Sequence, residues 1–189
     1  MQRPTQRVGV FIDVQNMYHS ARALYQQLVD FGAILEEAVG NRQLVRALAY
    51  VIENPDDASQ KDFFTALEDR GYELRSKVLQ NFSSGASKGD WDVGIVIDMI
   101  EMAHKLDVIV LVSGDGDFTP AVEHLRHLGC RVEVMAFSGS ASQLLRSAAD
   151  AVFDLSHQAK RFLIKSKTRS TAGQRTSTDR PRRRPARRA

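Results

Sequence analysis

The chain of 189 residues is 43% hydrophobic and 26% charged, an ordinary globular composition, and its length suits one domain of roughly 150 residues plus an additional segment. A single cysteine, Cys130, excludes an intramolecular disulfide framework and a multi-cysteine zinc site. No apolar run approaches the ~20 residues of a membrane helix and MQRPTQRVGV is no signal peptide, so a soluble cytoplasmic protein is expected.

The net charge of +3 conceals two unlike parts: residues 160–189 carry a net +11, leaving −8 on the first 159. Residues 1–157 therefore read as one acidic domain, and 158–189 as a disordered Arg/Lys-rich tail with nothing apolar to bury. An arm of this kind can follow phosphates through counterion release, with Arg182, Arg183 and Arg184 as its densest cluster, or it can be a merely solvated polycation.

Within the body, short apolar runs alternate with helical patterns, which predicts an α/β fold with a mostly parallel sheet flanked by helices. RVGVFID, from Arg7 to Asp13, is the first buried strand. A helix is expected from about Gln15 to Val29. Asp30 to Asn41 either extends that helical region or forms a short helix of its own. A strand is expected at Leu44–Ile52, a helix at Pro55–Gly71 with an acidic start and a glycine stop, and a strand at Tyr72–Val78. Gln80–Asp90, small, polar and glycine-containing, reads as a mobile loop. A helix at Trp91–His104 precedes Asp107–Val112, the most apolar strand and therefore a central one. Helix 119–128, strand 131–137, helix 141–148 and strand 151–155 complete the body.

Aspartates cluster where such a fold places chemistry. In a parallel α/β sheet the crevice lies beyond the carboxyl ends of the strands. Asp13 ends the first strand and SGDGDF, Ser113–Phe118, follows the central one. Helices run back antiparallel to the strands, so Asp92, in the first turn of the Trp91 helix, opens at the same edge. Asp13, Asp92, Asp115 and Asp117 can thus meet although they are far apart in sequence. Two unit charges ~4 Å apart cost about 4 kcal/mol at an effective dielectric near 20, and a proton or a cation must offset this. Oxygen ligands without His or Cys at metal spacing favour Mg²⁺ or Mn²⁺. Two such ions could clamp the attacking and leaving oxygens of a phosphodiester.

Each residue also has a plainer role available. Asp13 or Asn16 can cap the first helix, Asp92 can answer a helix dipole, Asp115 can close a turn, and Asp117 can cap the following helix in competition with Thr119. Lys88 is either a phosphate contact or an exposed loop charge, and Ser113 either touches phosphate or closes its turn. Phe82 and Trp91 either stack on bases or anchor the loop. Asp98, six residues beyond Asp92, is rotated by about 240° and displaced by ~9 Å along the helix, too far to share its ligand. The histidines show no metal-ligand spacing, and Cys130 reads as a small hydrophobe.

VFIDVQN, KGDWDVGIVIDM and SGDGDFTPAVEHLRHLGCRVEV together resemble the NYN domain family, of the LabA-like group within the PIN-like nuclease superfamily. The resemblance spans roughly Arg7 to Ser156. It implies a PIN-like (Rossmann-like) three-layer fold and a metal-dependent ribonuclease site. On the matching motifs Asp13 corresponds to the strand-one aspartate, Asn16 to its helix partner, Asp92 to the aspartate of the third motif helix, and Asp115 and Asp117 to the pair in SGDxDF. Asp98 also fits that pattern. The implied catalytic set is Asp13, Asn16, Asp92, Asp115 and Asp117, its four acids the metal ligands and RNA the partner. A homo-oligomer is left open. The expected function is divalent-metal-dependent RNA hydrolysis; the alternative is an RNA-binding regulatory module with little catalysis. A nucleotide-dependent phosphotransferase lacks both a GxxxxGK[ST] loop and a Rossmann glycine fingerprint.

Overall fold

The computed structural model describes residues 3–55, 57, 60–81, 87–88 and 90–164, with the backbone alone at 80, 81, 87 and 88. Six parallel strands form the central sheet: β1 (Arg7–Asp13), β3 (Gln43–Glu53), β4 (Glu73–Val78), β7 (Val108–Val112), β8 (Arg131–Ala136) and β9 (Ala151–Asp154). Their order across the sheet is β4-β3-β1-β7-β8-β9. The chain builds outward from β1 in one direction, then returns and builds outward in the other. The strand order therefore reverses between β1 and β7, the place where an open α/β sheet leaves a crevice at its carboxyl edge.

Both faces of the sheet are covered, which is why β1 and β7 read as continuous apolar runs rather than alternating ones. On one face Val8, Val10 and Ile12 pack with Met17 and Ala21 of α1 (Val14–Tyr25), Ile34 of α2 (Phe31–Val39) and Leu67 of α3 (Gln60–Glu68). On the other, Phe11, Leu48 and Tyr50 pack with Ile95 and Met99 of α4 (Asp92–Met102), Leu125 of α5 (Thr119–His127) and Leu145 of α6 (Gln143–Ala148). The architecture is the three-layer, mostly parallel fold expected from the sequence.

Several boundaries differ from those expected. α1 stops at Tyr25 rather than near Val29, because Gln26 adopts a left-handed conformation (φ 55°) and its N–H closes on Arg22 O. The next residues form a short strand, β2 (Leu28–Val29). Asp30 then caps α2, its Oδ1 accepting from Ala33 N at 3.1 Å, so the 30–41 segment is a helix of its own. α3 occupies only Gln60–Glu68 of the longer helix expected at 55–71. Within the expected 80–90 loop, β5 (Gln80–Asn81) pairs antiparallel with β6 (Ser87–Lys88); Phe82 lies outside the described residues.

The tail boundary also moves. After β9 comes a 3₁₀ turn (Leu155–Gln158), then α7 (Ala159–Phe162) and β10 (Leu163–Ile164), which pairs antiparallel with β2. Phe162 is fully buried in the same core as α1 and α2, and Arg161 pairs with Glu37 of α2. The folded body therefore extends through Ile164, past the expected boundary at 157. Three apolar residues embedded in a basic run are too short a signal to separate from the tail by composition. Arg182, Arg183 and Arg184 lie outside the described residues. Among the described residues no helix is long and apolar enough to cross a membrane.

Candidate active site

Asp13 is the last residue of β1 and the N-cap of α1. It lies beside Tyr50 of β3 in register, and the preceding Ile12 lies beside Val112, where β7 ends. Its Oδ1 accepts from Asn16 N at 3.0 Å, and its Oδ2 faces the Ser113 hydroxyl at 3.4 Å. The capping role and the site position thus coexist in one side chain. Only 9% of Asp13 is exposed. Burial, and then the charges of Asp92 and Asp115, push its carboxyl up to about 6, against the opposing effect of the bonds from Asn16 and Ser113.

Ser113 and Asn16 hold the segment after β7. The Ser113 hydroxyl donates toward Asp13 and accepts from Asp115 N at 3.2 Å. It is completely buried and closes the turn, one of the two roles open to it from the sequence. Asn16 Oδ1 accepts from Gly114 N at 2.9 Å, joining the first turn of α1 to the loop beyond β7. Gly114 is required by close backbone approach: a Cβ there would lie 3.0 Å from Ala141 Cα and 3.2 Å from Ser140 O. The Gly114 carbonyl also accepts from Ser142 N at 2.9 Å. Asp115 caps the 3₁₀ turn Gly116–Phe118 by accepting from Asp117 N at 3.0 Å. Asp117 is exposed and does not cap α5.

Asp92 lies in the first turn of α4, on the far face of the sheet from α1. Partial burial raises its carboxyl pKa, with further contributions from Asp115, Asp90 and Asp117; Lys77 acts in the opposite sense. Asp115 therefore acts on both Asp13 and Asp92, and Asp117 on Asp92. Asp13, Asp92, Asp115 and Asp117 are thus linked by pairwise influence near the strand-order reversal. Asp98 points elsewhere: its Oδ2 accepts from Tyr50 OH at 2.9 Å and lies 3.4 Å from Arg75 Nε. It fastens α4 to β3 and β4, in line with the helical geometry and outside the carboxylate cluster.

The cation expected beside this crevice was Lys88, whose backbone lies in β6 and whose side chain lies outside the described residues. Lys77, near the carboxyl end of β4, was missed. Its Nζ sits 4.1 Å from the centroid of the Trp91 ring and donates to Asp90 O at 3.0 Å. A lysine in an exposed, charge-rich strand gives no sequence signal beyond its place near the strand end. Trp91 anchors the entry to α4, donating from Nε1 to Val51 O at 2.8 Å and meeting Tyr50 edge-on.

The donor set suits a hard divalent cation: every candidate is a carboxylate, and the deepest is held against its own charge by burial and like neighbours. The spacing is looser than the chemistry. Among the described residues no three His, Cys, Asp or Glu side chains form a group that could hold a metal ion as they stand. Like-charge influence runs between Asp13 and each of Asp92 and Asp115, and between Asp92 and each of Asp115 and Asp117, without three of these side chains grouping around one point.

The burial of Asp13, with its like-charged neighbours, has a measurable signature. The folded protein holds the Asp13 proton more tightly than the unfolded chain does, so this stabilisation is complete below ~pH 4 and is lost as the pH rises through about 6. Above that range the ionised group costs on the order of 3 kcal/mol. In chelator, Asp13→Asn, which keeps an acceptor for Asn16 N, is expected to raise unfolding stability by about 1–3 kcal/mol at pH 8, with the gain vanishing near pH 4. Urea unfolding across that range measures it; a destabilised variant at pH 8, or a pH-independent difference, would contradict the assignment.

With this geometry in view, the comparisons with known proteins are specific. The NYN domain family model matches residues 7–156. The chain is 35% identical over 163 residues to the low amplitude and bright protein LabA of Synechococcus elongatus, covering 81% of this chain and 85% of that one. It is 29% identical over 87 residues to an uncharacterised protein of Methanocaldococcus jannaschii, 45% of this chain and 36% of that one. A crystal structure of a Vibrio parahaemolyticus protein of unknown function superposes with a TM-score of 0.78 at 34% identity, covering 87% of this chain and all of that one. The matched span contains β1, α4 and the loop after β7, the three segments that supply the four acids, and the chain belongs to the NYN domain family, with its PIN-like nuclease-type fold.

Proposed function

We propose that the protein is a divalent-metal-dependent ribonuclease. The observation that carries this reading is a buried carboxylate at the strand-order reversal, Asp13, pushed up to about 6 by burial first and then by Asp92 and Asp115, with Asp92 raised by burial and by Asp115, Asp90 and Asp117. A cluster that opposes its own ionisation is useful to a protein that admits a cation and then a phosphodiester. The four carboxylates would hold Mg²⁺ or Mn²⁺, which when bound supplies positive charge against the phosphate oxygens and a more acidic water.

The chain's own residues set the rest of the chemistry. Asn16 and Ser113 fix the relative position of the β1 and β7 ends, so that Asp13 and Asp115 keep one spacing through the reaction. Without a cation, Asp13 retains a proton at Oδ1 or Oδ2 up to about pH 6. Lys77 donates to Asp90 O and acts on Asp92, and it, with Lys88, is proposed to meet the substrate's phosphates. Arg182, Arg183 and Arg184 are proposed to add long-range attraction, since an RNA strand would otherwise approach an acidic domain.

A second reading, an RNA-binding regulatory module with little turnover, is favoured by the lack of a ready metal-holding group among the described residues. Labelled single-stranded RNA and DNA incubated with the protein in Mg²⁺, Mn²⁺ or EDTA separates the two. Cleavage of RNA with metal, abolished by EDTA, supports the enzyme; binding with no cleavage in either metal supports the module.

Asp13→Asn, Asp92→Asn and Asp115→Asn are each expected to lower cleavage by at least ~10²-fold with the fold intact, the scale of losing one preorganised electrostatic element. Asp98→Asn should lose much less, because Asp98 serves Tyr50 and Arg75. Turnover of the three variants at the wild-type rate would overturn the site, and an equal loss at Asp98 would move the site along α4. Circular dichroism of each variant separates chemistry from unfolding.

Residues 165–189 carry a net +9. Truncation after Ile164 keeps β10 and Phe162 and is expected to weaken RNA binding while leaving the rate at saturating substrate unchanged. If six of those charges contact single-stranded phosphates, the log–log salt slope is about −4 in the full chain and flatter in the truncated one. Equal affinities and equal slopes, measured in an Asp115→Asn background, would remove the tail from RNA binding.

A further inference from the structure

Beside the carboxylate crevice lies an apolar groove of about 520 Å³, within the range of pockets that take small organic ligands. Val14 and Gln15, the two residues after Asp13, form part of its wall, so it adjoins the crevice through consecutive residues of one helix. Val51 and Ile52, the strand residues directly after the Tyr50 that registers with Asp13, also line it. Four aromatic rings contribute to it, Tyr18 from α1, Phe31 at the start of α2, and Phe63 and Phe64 from α3, while Asp57 and Gln60 are polar members of the lining. Tyr18 and Phe63 are 41% and 37% exposed, although each is large enough to be a core residue. Exposed aromatic surface gathered in a concavity calls for an occupant.

Two features identify that occupant. Ile164, the end of the described chain, lies on the groove wall, so the net +9 of residues 165–189 begins at its rim. By sequence those residues offer no aromatic and no large aliphatic side chain to an apolar groove, and their net charge has the sign that attracts a polyanion. The Arg22 guanidinium, 6.0 Å from the centroid of the Tyr18 ring, adds a further cation close to the aromatic wall. A ligand with a flat apolar face and a phosphate attached to it satisfies both features.

From this placement we infer that the groove is a nucleobase subsite: one unpaired base of an RNA strand stacks against Phe63 and Tyr18 while an adjoining phosphodiester lies over Asp13. The inference rests on the RNA reading above and adds to it how the strand is held. Stacking accepts any base face, so the subsite confers a demand for single-stranded substrate with little sequence preference. It also differs physically from the tail's contribution: apolar stacking is insensitive to salt, whereas phosphate neutralisation is not.

The test uses the full chain carrying Asp115→Asn, with Mg²⁺ present, and a short single-stranded RNA containing one 2-aminopurine. Stacking in the groove should quench the probe, and Phe63→Leu or Tyr18→Ala should remove the quench and weaken affinity about tenfold. The factor should be the same at low and high salt, and Phe63→Tyr, which restores a stacking face, should retain both properties. Unfolding midpoints confirm that Phe63→Leu is folded. RNA binding unchanged in all variants overturns the subsite and leaves the RNA reading standing. No RNA binding by the parent protein overturns both. Unchanged RNA binding together with a loss of self-association in Phe63→Leu identifies the groove as a contact between copies and likewise overturns the proposal.

Discussion

The site depends on the side-by-side pairing of β1 and β7. Because the strand order reverses there, two segments nearly a hundred residues apart end at the same level of the sheet. The helix after one strand and the 3₁₀ turn after the other must then share the space beyond. One hydrogen bond spans that space, from Gly114 N to Asn16 Oδ1. It is worth only about 1 kcal/mol net, but its loss would leave a part-buried amide unsatisfied at a cost of about 1–3 kcal/mol. It therefore sets position more than stability. Ser113 performs the same service one residue earlier by facing both Asp13 and the Asp115 amide.

What these bonds position is a set of charges that oppose one another. Asp13 is buried beneath the others, and burial contributes more to its raised pKa than its neighbours do. Asp92 is partly buried on the opposite face of the sheet and feels Asp115 first among the charged groups around it. Asp13 caps α1 and faces Ser113, yet above about pH 6 its ionised form is held at a cost to stability. That cost becomes intelligible if a cation occupies the crevice during function. The aromatic groove beside α1 extends the same logic from phosphate to base. On the proposed reading, charge would gather one part of the substrate and apolar surface the other, both beside the first turn of α1.

The legibility of these features in the sequence follows from how local each one is. RVGVFID and DVIVLV are buried on both faces, so their apolar runs announce central strands, and the acids that follow them mark the carboxyl edge. The place of Asp98 also followed from local geometry, since six residues of helix turn it away from Asp92 and toward Tyr50. The end of α1 was not legible, because Gln26 takes a left-handed conformation that sequence would assign to glycine. The β2–β10 pairing joins two-residue strands from opposite ends of the body, a contact without any periodic signal. Ser113 and Lys77 show the same limit: whether a hydroxyl is spent on a turn, or a strand lysine reaches Trp91, depends on neighbours that only the folded chain supplies.

The account turns on the claim that the carboxylate cluster exists to admit a divalent cation. Calorimetric titration of the full chain with Mn²⁺ at pH 7.5, alongside the thermal midpoint with and without metal, tests it directly. The account predicts saturable binding, a midpoint that rises with metal because the cation binds the folded state, and loss of both effects in Asp92→Asn. Absence of Mn²⁺ and Mg²⁺ binding in the wild-type protein, or binding undiminished in Asp92→Asn, would contradict it.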